Sequence, residues 1–293
     1  MTERQTLLEE ENRRNKAEYP FYCYKMPDGE LNRPVVPVHW HNEMEIFYSE
    51  AYGSLYIDKT EYDVVPGDIF FINPGLIHRT FRKSHGLMSH IVFSLGILKT
   101  MSGGNEVNKR IDAMLEQKIQ IKAKAEQGSE WYNELLPIIS EILKYQEKII
   151  EIGHESCMVT AYLFAMFASC YKADSFHYAD ENYLYGVQYV TRIMEYIREH
   201  YRDPLNVSTL AKYLSISETY LFRLFRDYVG CTPINYINSV RLREAYRLLE
   251  EGMDVTGTAA AVGIQNVSYF IKLFKSTTGQ TPLGWIKEKK ERT

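Results

Sequence analysis

The C-terminal third of the chain contains an internal repeat, which constrains the fold more than any other feature of the sequence. The segment YLFRLFRDYVGCTP, Tyr220 to Pro233, returns as YFIKLFKSTTGQTP, Tyr269 to Pro282, at a constant offset of 49 residues. Upstream, Ala211 corresponds to Ala260 at the same offset. Self-similarity at a fixed spacing indicates that one supersecondary unit is used more than once. The sequence therefore predicts two copies of one unit.

Each copy has the pattern of a helix, a turn and a second helix. In the first copy, VSTLAKYL predicts a short helix with Ser208 as its N-cap, and Ser217 can cap the helix after the turn. Gly230 ends this second helix, and Thr232-Pro233 begins another as N-cap and first residue. The residues with helical spacing on the buried side of the second helix are Leu221, Leu224, Phe225 and Tyr228.

The opposite face of the second helix in each copy is suited to the major groove of DNA. Arginine reads guanine or holds phosphate, and an apolar side chain can contact the thymine methyl group. We expect Phe222 and Ile271 to be exposed on this face. The alternative is an all-helical structural domain with solvated basic residues, but the matching basic positions favour DNA. The predicted DNA-facing residues are Glu218, Thr219, Phe222, Arg223 and Arg226 in the first copy and Val267, Ser268, Ile271, Lys272 and Lys275 in the second.

Spacing and charge in this region also fit DNA. The helix between the copies, about Thr232 to Glu250, is roughly 19 residues or ~28 Å long, which is near the ~34 Å between successive major-groove faces. From Val187 to Thr293 there are 15 Lys and Arg against 11 Asp and Glu, although the whole chain carries a net charge of −4. The sequence thus places a basic C-terminal part after an acidic remainder.

The C-terminal region, roughly Val187 to Lys289, resembles the AraC/XylS family of bacterial transcription regulators. The resemblance rests on LAKYLSISETYLFRLFRDYVGCTPINYINSVRLREAYRLL and on AAAVGIQNVSYFIKLFKSTTGQTPLGW. The second block is similar to the family signature, in which a Gly-Phe pair precedes the second recognition helix. Here the pair is Gly263-Ile264, followed by Gln265-Asn266 where an acidic residue often stands. The resemblance implies a double helix-turn-helix domain that binds double-stranded DNA.

The N-terminal region, about Phe21 to Leu98, has short β-rich runs separated by Gly, Pro, Asp and Asn, which predicts a small barrel or sandwich. In HWHNEMEIFYSE, His39 and His41 are separated by a single residue and face the same side of a strand, which Glu45 could share. His78 follows in NPGLIH. Imidazoles with a carboxylate can hold a transition metal.

These N-terminal segments resemble the two cupin motifs. HWHNEMEIFYSEAYG supplies the first, and PGDIFFINPGLIH, with Gly67, Pro74 and Gly75, supplies the second. In cupin enzymes the corresponding histidines and carboxylate hold a metal, whereas in the regulator family they line or brace an effector pocket, usually without metal. Three interpretations stay open: an organic-effector pocket, hydrogen bonding within the barrel, and a bound metal. The candidate pocket residues are His39, His41, Glu45, His78, Tyr48 and Trp40.

Between these regions the pattern is helical. WYNELLPIISEILKYQEKIIE has apolar residues at spacings of three and four, and CMVTAYLFAMFASCY is apolar nearly all round, as in a buried helix. These helices could cover one another or form a dimer interface. KADSFHYADENYLYG reads as a linker, and the aromatic arm FYCYKMPDGELNRP before the barrel is a candidate lid.

Several other classes of protein are not expected. The start, MTERQTLLEEENRRNKAEYP, lacks the apolar core of a signal peptide, and the run AYLFAMFASCY is shorter than the ~20 residues that span a bilayer. The cysteines show no CxxC spacing, and MSGGNE has no lysine for a phosphate loop. We expect no membrane partner, no catalytic residue and no cofactor, in a reducing cytoplasm.

The predicted fold class is α+β multidomain, with a cupin-like β-barrel and a C-terminal all-α tandem helix-turn-helix domain. The expected segments are 1–104, the effector-binding barrel with its arm; 105–173, helices for packing and dimerisation; 174–186, a linker; and 187–293, the DNA-binding domain. The predicted function is a ligand-responsive transcription regulator, for a small molecule such as a sugar. It would act as a homodimer, and with RNA polymerase if it is an activator. The alternative is a metal sensor or a metalloenzyme with a DNA-binding tail, using His39, His41, Glu45 and His78.

Overall fold

The computed structural model describes residues 19–26, 31, 34–101, 105–179, 181–278 and 280–292. The chain divides into two compact units, Met1–Val187 and Gln188–Thr293. The mixed fold class predicted above is confirmed, since the first unit is rich in strands and the second is helical. Among the helices of the described residues, none combines the length and the hydropathy that a membrane span requires.

Eight strands form the body of the first unit. They are β1 Phe21–Met26, β2 Pro34–His39, β3 Met44–Ser49, β4 Gly53–Ile57, β5 Thr60–Val64, β6 Ile69–Ile72, β7 His78–Arg82 and β8 Met88–Phe93. One sheet has the order β1-β8-β3-β6 and the other has the order β2-β7-β4-β5, with antiparallel neighbours throughout. Most successive strands therefore alternate between sheets, as in a double-sheet jelly roll, the architecture of cupins.

The two faces of the first sheet pack against different partners. On β3, Phe47 belongs to the core between the sheets, together with Leu55 of β4 and Phe70 of β6. Met44 and Ile46 point the other way and join the core that the helices cover. Side chains alternate along a strand, so Glu45 shares the inner face with Phe47.

The outer face of that sheet is covered by helices α1 Gly96–Met101, α2 Asn105–Leu115, α3 Glu130–Ile142 and α4 His154–Lys172. Ser129 caps α3 by accepting from the Tyr132 N–H, and Pro137 is accommodated within the helix. The described part of the arm, Phe21–Met26, is strand β1. The rest of the candidate lid lies largely outside the described residues.

Three short strands lie where the sequence predicted helix or linker. They are β9 Ile119–Ile121, β10 Lys124–Ala125 and β11 Phe176–Tyr178. β10 pairs with β6, and β11 pairs with β9. The stretch expected to be a linker, 174–186, therefore contains a paired strand and the first residues of the next helix. These strands are stabilised by partners far away in sequence, so local patterns do not predict them.

The second unit consists of helices. They are α5 Glu181–His200, which begins before the unit boundary, α6 Val207–Tyr213, α7 Glu218–Leu224, α8 Pro233–Glu250, α9 Val255–Ala261, α10 Val267–Thr278 and α11 Pro282–Arg292. A π-helical turn, Phe225–Val229, extends α7, and Gly230 in the left-handed conformation ends it. The pairs α6–α7 and α9–α10 are the two predicted helix-turn-helix copies.

The helix starts follow the predicted capping with one correction. Ser217 accepts from the Tyr220 N–H at the start of α7, and Thr232 accepts from the Asn235 N–H at the start of α8. The cap of α6 is Asn206, which accepts from the Thr209 N–H, so Ser208 lies inside the first turn. An Asn side chain caps as well as a Ser side chain does, so residue type alone does not choose between Asn206 and Ser208.

The two copies also differ by one residue in the turn. The Ile216 N–H donates to the Ala211 carbonyl, and the Ile264 N–H donates to the Ala259 carbonyl. Ala211 is therefore equivalent to Ala259, at an offset of 48, and the pairing of Ala211 with Ala260 was wrong. Since α7 and α10 match at 49 residues, the second turn contains one additional residue.

The repeat extends beyond the helix-turn-helix pairs. Tyr236 of α8 contacts the ring of Phe225, with centroids 6.0 Å apart, and Trp285 of α11 contacts Phe274 at 6.4 Å. Tyr236 and Trp285 are 49 residues apart in the sequence, and so are Phe225 and Phe274. In each copy, the helix that follows the second helix of the pair thus packs on it through an aromatic contact at the same place.

Gly263 is required in the second turn by both its conformation and its surroundings. Its φ is +77°, and a Cβ there would lie 2.4 Å from the carbonyl oxygen of Arg202. We expect Gly263→Ala to lower the unfolding free energy by about 2–4 kcal/mol, through left-handed strain and overpacking together. Chemical denaturation of the full chain measures it.

Gly252→Ala is the matched control for Gly263→Ala. Gly252 has a φ of +92°, and a Cβ there would meet nothing within 4 Å, so this variant should show the conformational cost alone, about 1–2 kcal/mol. Equal losses in the two variants would contradict the close approach to Arg202.

Candidate DNA-binding surface and candidate ligand site

The predicted DNA-facing side of α7 is exposed. Its buried side contains Leu221 and Leu224, and the π-helical turn adds Phe225 and Tyr228. Phe222 is 43% exposed, as the sequence analysis expected. The other predicted contact residues of this face, all exposed, are Glu218, Thr219, Arg223 and Arg226.

An open groove of about 810 Å³ lies beside α7 and the start of α8. Thr219, Phe222, Arg223 and Arg226 line it from the helix. The Arg223 guanidinium stacks over the ring of Tyr220, 4.8 Å from its centroid. An arginine held by an aromatic ring is restricted in its conformations while its N–H groups stay available for bidentate contacts.

The corresponding face of α10 is less exposed. Ser268, Lys272 and Lys275 are exposed, but Val267 and Ile271 are half-buried against the core cluster. The expectation that Ile271 is exposed is therefore wrong, because Ile271 packs on the core of its own unit.

Hydrogen bonds of Asn266 and Tyr269 also fix α10 in place. Asn266 caps the helix by accepting from the Tyr269 N–H at 2.9 Å. The Tyr269 hydroxyl accepts a hydrogen bond from the side-chain amide of Asn238 in α8, at 3.0 Å. The second recognition helix is thus held to the long helix between the copies.

In the first unit, four of the predicted pocket residues come together between the ends of the two sheets. His39 at the end of β2 pairs with His78 at the start of β7, and their ring centroids are 4.0 Å apart. His41 lies in the connection between β2 and β3, and Glu45 lies on β3. One potential ligand atom from each of the four residues lies within 4.8 Å of the others. We call this group the four-residue cluster.

Backbone carbonyls orient two of the imidazoles. His41 Nδ1 donates to the Glu43 carbonyl at 3.1 Å, and His78 Nδ1 donates to the Leu76 carbonyl at 2.9 Å. Their Nε2 atoms consequently face Glu45 Oε2, at 2.8 Å and 3.2 Å. The His78 contact lacks hydrogen-bond geometry, and His78 Nε2 has no hydrogen-bond partner among the described residues.

His90, which the sequence analysis missed, is the third imidazole on Glu45. Its Nδ1 lies 2.6 Å from Glu45 Oε1, and both side chains are 1% exposed. On β8, Val92 pairs with Glu45, so His90 lies two residues along on the same face. No motif marks it, because only the pairing of β3 with β8 brings it to the carboxylate.

The surroundings of Glu45 keep it ionised. Burial alone would raise its pKa, but the nearby charge of His78 and hydrogen bonds from His41 and His90 lower the pKa well below the ordinary value. A buried carboxylate with three imidazole neighbours can bind a cation or accept further hydrogen bonds.

The two aromatic candidates lie in different places. Trp40 is half-buried and lies between His39 and His41 in sequence. Tyr48 lies on the opposite face of β3 from Glu45, where it packs against the core under the helices. The structure therefore separates Tyr48 from the four-residue cluster, since three residues along a strand reverse the side.

Comparison with known proteins matches both units to described families. A model described as "AraC-like ligand binding domain" matches residues 28–86, and one described as "Helix-turn-helix domain" matches residues 210–288. The chain is 22% identical over 285 residues to an uncharacterized HTH-type transcriptional regulator, YdeC, of Bacillus subtilis, covering 96% of each protein. It is 37% identical over 93 residues to YisR of the same organism, covering 31% of this chain and 32% of that protein.

A solved structure shares the two-domain fold. ToxT from Vibrio cholerae superposes with a TM-score of 0.50 at 16% identity, covering 91% of this chain and 98% of that one. Fold and matches together define a transcriptional regulator with a ligand-binding N-terminal domain and a DNA-binding helix-turn-helix domain. The chain thus combines an AraC-like ligand-binding domain with a helix-turn-helix domain.

Substitutions on the two recognition helices test the DNA-facing assignment. We expect Arg223→Ala and Lys272→Ala each to weaken operator binding by ~1–3 kcal/mol if the side chain reads a base, with relaxed sequence preference. A phosphate contact should instead reduce the salt dependence of binding. Fluorescence anisotropy over a range of salt concentrations separates the two. Lys287→Ala, on α11, is the control; wild-type affinity in both test variants would contradict the assignment.

A second prediction concerns Asp58, whose Oδ1 accepts from the Ile77 N–H beside His78. Burial raises its pKa from 3.8 to about 7, although the Ile77 N–H and the charges of His78 and Lys59 oppose this. The unfolded chain therefore ionises Asp58 at lower pH than the folded chain does. The contribution of Asp58 to the free energy of unfolding should therefore fall as the pH rises from about 4 to about 7. Above about pH 7 its destabilising effect should be fully developed.

Asp58→Asn removes this penalty. The variant should melt at a higher temperature than wild type at about pH 8 and at nearly the same temperature at about pH 4. Asp63→Asn is the control, since the Asp63 side chain is 90% exposed in its pair with Lys83. A constant difference between Asp58→Asn and wild type across this range would contradict the raised pKa.

Proposed function

We propose that this AraC-type regulator binds its operator through α7 and α10 and responds to an effector bound at the four-residue cluster. The observation that carries the proposal is the convergence of three imidazoles and one carboxylate, from three separate segments, within 4.8 Å. The cluster binds and does not catalyse in this proposal, in keeping with homologues that are transcriptional regulators. Because it would bind DNA, the proposed regulator would act in the cell compartment that contains the DNA.

The contacts favour a first-row transition metal ion as the effector. With Nδ1 donating to a carbonyl, a neutral imidazole has its lone pair on Nε2. In His41 and His78 this Nε2 faces a carboxylate oxygen. It can satisfy that oxygen either by carrying a second proton, as an imidazolium, or by sharing with it a metal ion that takes the place of the proton. Metal-binding histidines typically donate the other ring N–H to a carbonyl or carboxylate. His39, His41, Glu45 and His78 would hold the ion, which would supply a fixed positive charge there.

A sugar is the second candidate effector. Support for it comes from the family resemblance and from Trp40, whose ring could stack on a sugar face beside the cluster. A polar ligand in a mostly apolar barrel would use the same histidines as hydrogen-bonding groups. The two candidates differ in whether a chelator abolishes the response.

The proposed regulator acts as a homodimer. Between Glu155 and Lys172, α4 has no charged residue. Its exposed positions include Cys157, Ala161, Ala165 and Ala168, small side chains that allow a second helix to approach closely. The effector would change DNA binding only if it binds one arrangement of the dimer better than another. An activator would in addition contact RNA polymerase.

Thermal melting of the full chain tests the effector class. We expect Zn²⁺, Mn²⁺, Fe²⁺ or Co²⁺ at about a hundredfold over its Kd to stabilise the protein by ~2.7 kcal/mol, and EDTA to reverse the shift. Glu45→Gln should lose most of the response, and His85→Gln, at an exposed histidine, should keep it. A sugar that raises the melting temperature in EDTA, with no response to metal, would overturn the metal proposal in favour of the second candidate.

A further inference from the structure

The buried His90 side chain contacts residues of two neighbouring strands as well as the Glu45 carboxylate. Its ring stacks on Tyr24 of β1, with centroids 4.9 Å apart and planes 5° from parallel, and it contacts Phe47 at 5.0 Å. Its Nδ1 approaches Glu45 Oε1 at 2.6 Å. Three neighbouring strands, β1, β8 and β3, thus fix one imidazole against one carboxylate.

This contact divides the two oxygens of Glu45 between two tasks. Oε1 is engaged by His90, whereas Oε2 faces both His41 and His78. A carboxylate held in this way presents a single oxygen to the four-residue cluster. Without His90 it could rotate, since the terminal torsion of Glu is broad.

We propose that His90 is a positioning residue for the metal ion, fixing Glu45 so that Oε2 alone is presented as a ligand. This inference rests on the metal site proposed above and adds to it a fifth residue that makes no contact with the ion. Hydrogen-bonding partners of metal ligands commonly contribute 10–100-fold to metal affinity.

A purely structural role for His90 predicts a different result. In that case its substitution lowers the stability of the metal-free protein, and any polar side chain of similar volume is equivalent. A positioning role depends instead on which atom donates. The side-chain amide of Asn can occupy the place of Nδ1, whereas the longer side chain of Gln places its amide near Nε2.

The test compares His90→Asn with His90→Gln in the full chain, with His85→Gln as control. Zn²⁺ affinity is measured by competition with a chromophoric chelator, and Co²⁺ absorption reports the ligand geometry. We expect about 10–100-fold weaker Zn²⁺ binding and an altered Co²⁺ spectrum in His90→Gln. His90→Asn should stay near wild type. Melting in EDTA gives the metal-free stability separately.

Each outcome decides the question. Equal affinities in the Asn and Gln variants would overturn the positioning role and leave the metal site intact. No Zn²⁺ binding by wild type would overturn the metal site, and the inference with it. If His90→Gln does not fold, Tyr24→Leu decides, because it removes the ring that orients His90; it should weaken Zn²⁺ binding, and unchanged affinity would overturn the proposal.

Discussion

The buried carboxylate of Glu45 is the constraint on which the N-terminal unit depends. A charged group at 1% exposure is costly in an apolar core unless it is paired and hydrogen-bonded. Hydrogen bonds from His41 and His90 and the nearby charge of His78 meet this need, and each residue comes from a different part of the first unit. The same requirement therefore joins β3 to β7, β8 and the β2–β3 connection, and it brings together the donor atoms of the proposed effector site.

In the second unit the same local plan produces two surfaces with different chemistry. Both recognition helices bury an apolar side, begin at a side-chain cap and pack on the next helix through an aromatic pair. The first presents two arginines and an exposed Phe222, whereas the second presents two lysines while Ile271 packs inward. Arginine offers a planar fork and lysine a compact point charge, so the two helices would make different contacts in the proposed complex with DNA.

The proposed effector site and the DNA-binding surface make different demands on the chain. The four-residue cluster needs buried groups fixed to fractions of an ångström, which a double-sheet core with strands paired on both sides provides. The recognition helices need exposed side chains on a stable support, which short capped helices provide. A regulator of this kind separates the two tasks into two units.

Much of the helical unit could be predicted from the sequence, because its information is local. An N-cap acts within three residues, an apolar side repeats every three or four residues, and two copies at a fixed offset confirm one another. The sequence also indicated His39, His41, Glu45 and His78 through motif spacing and family resemblance, and the β-rich character of their surroundings through turn residues.

Tertiary structure decided what depends on pairing across distance. The pairing of β3 with β8 brought His90 to Glu45, and strand alternation placed Tyr48 on the other side. One additional residue in the second turn shifted the equivalence of Ala211 to Ala259. Strand register is set by partners far away in sequence, and the equivalent positions of the two turns follow only from their hydrogen bonds. The sequence by itself determined the two classes of unit and most helix starts, because those depend on local patterns. Which side chains meet was decided only by the folded chain.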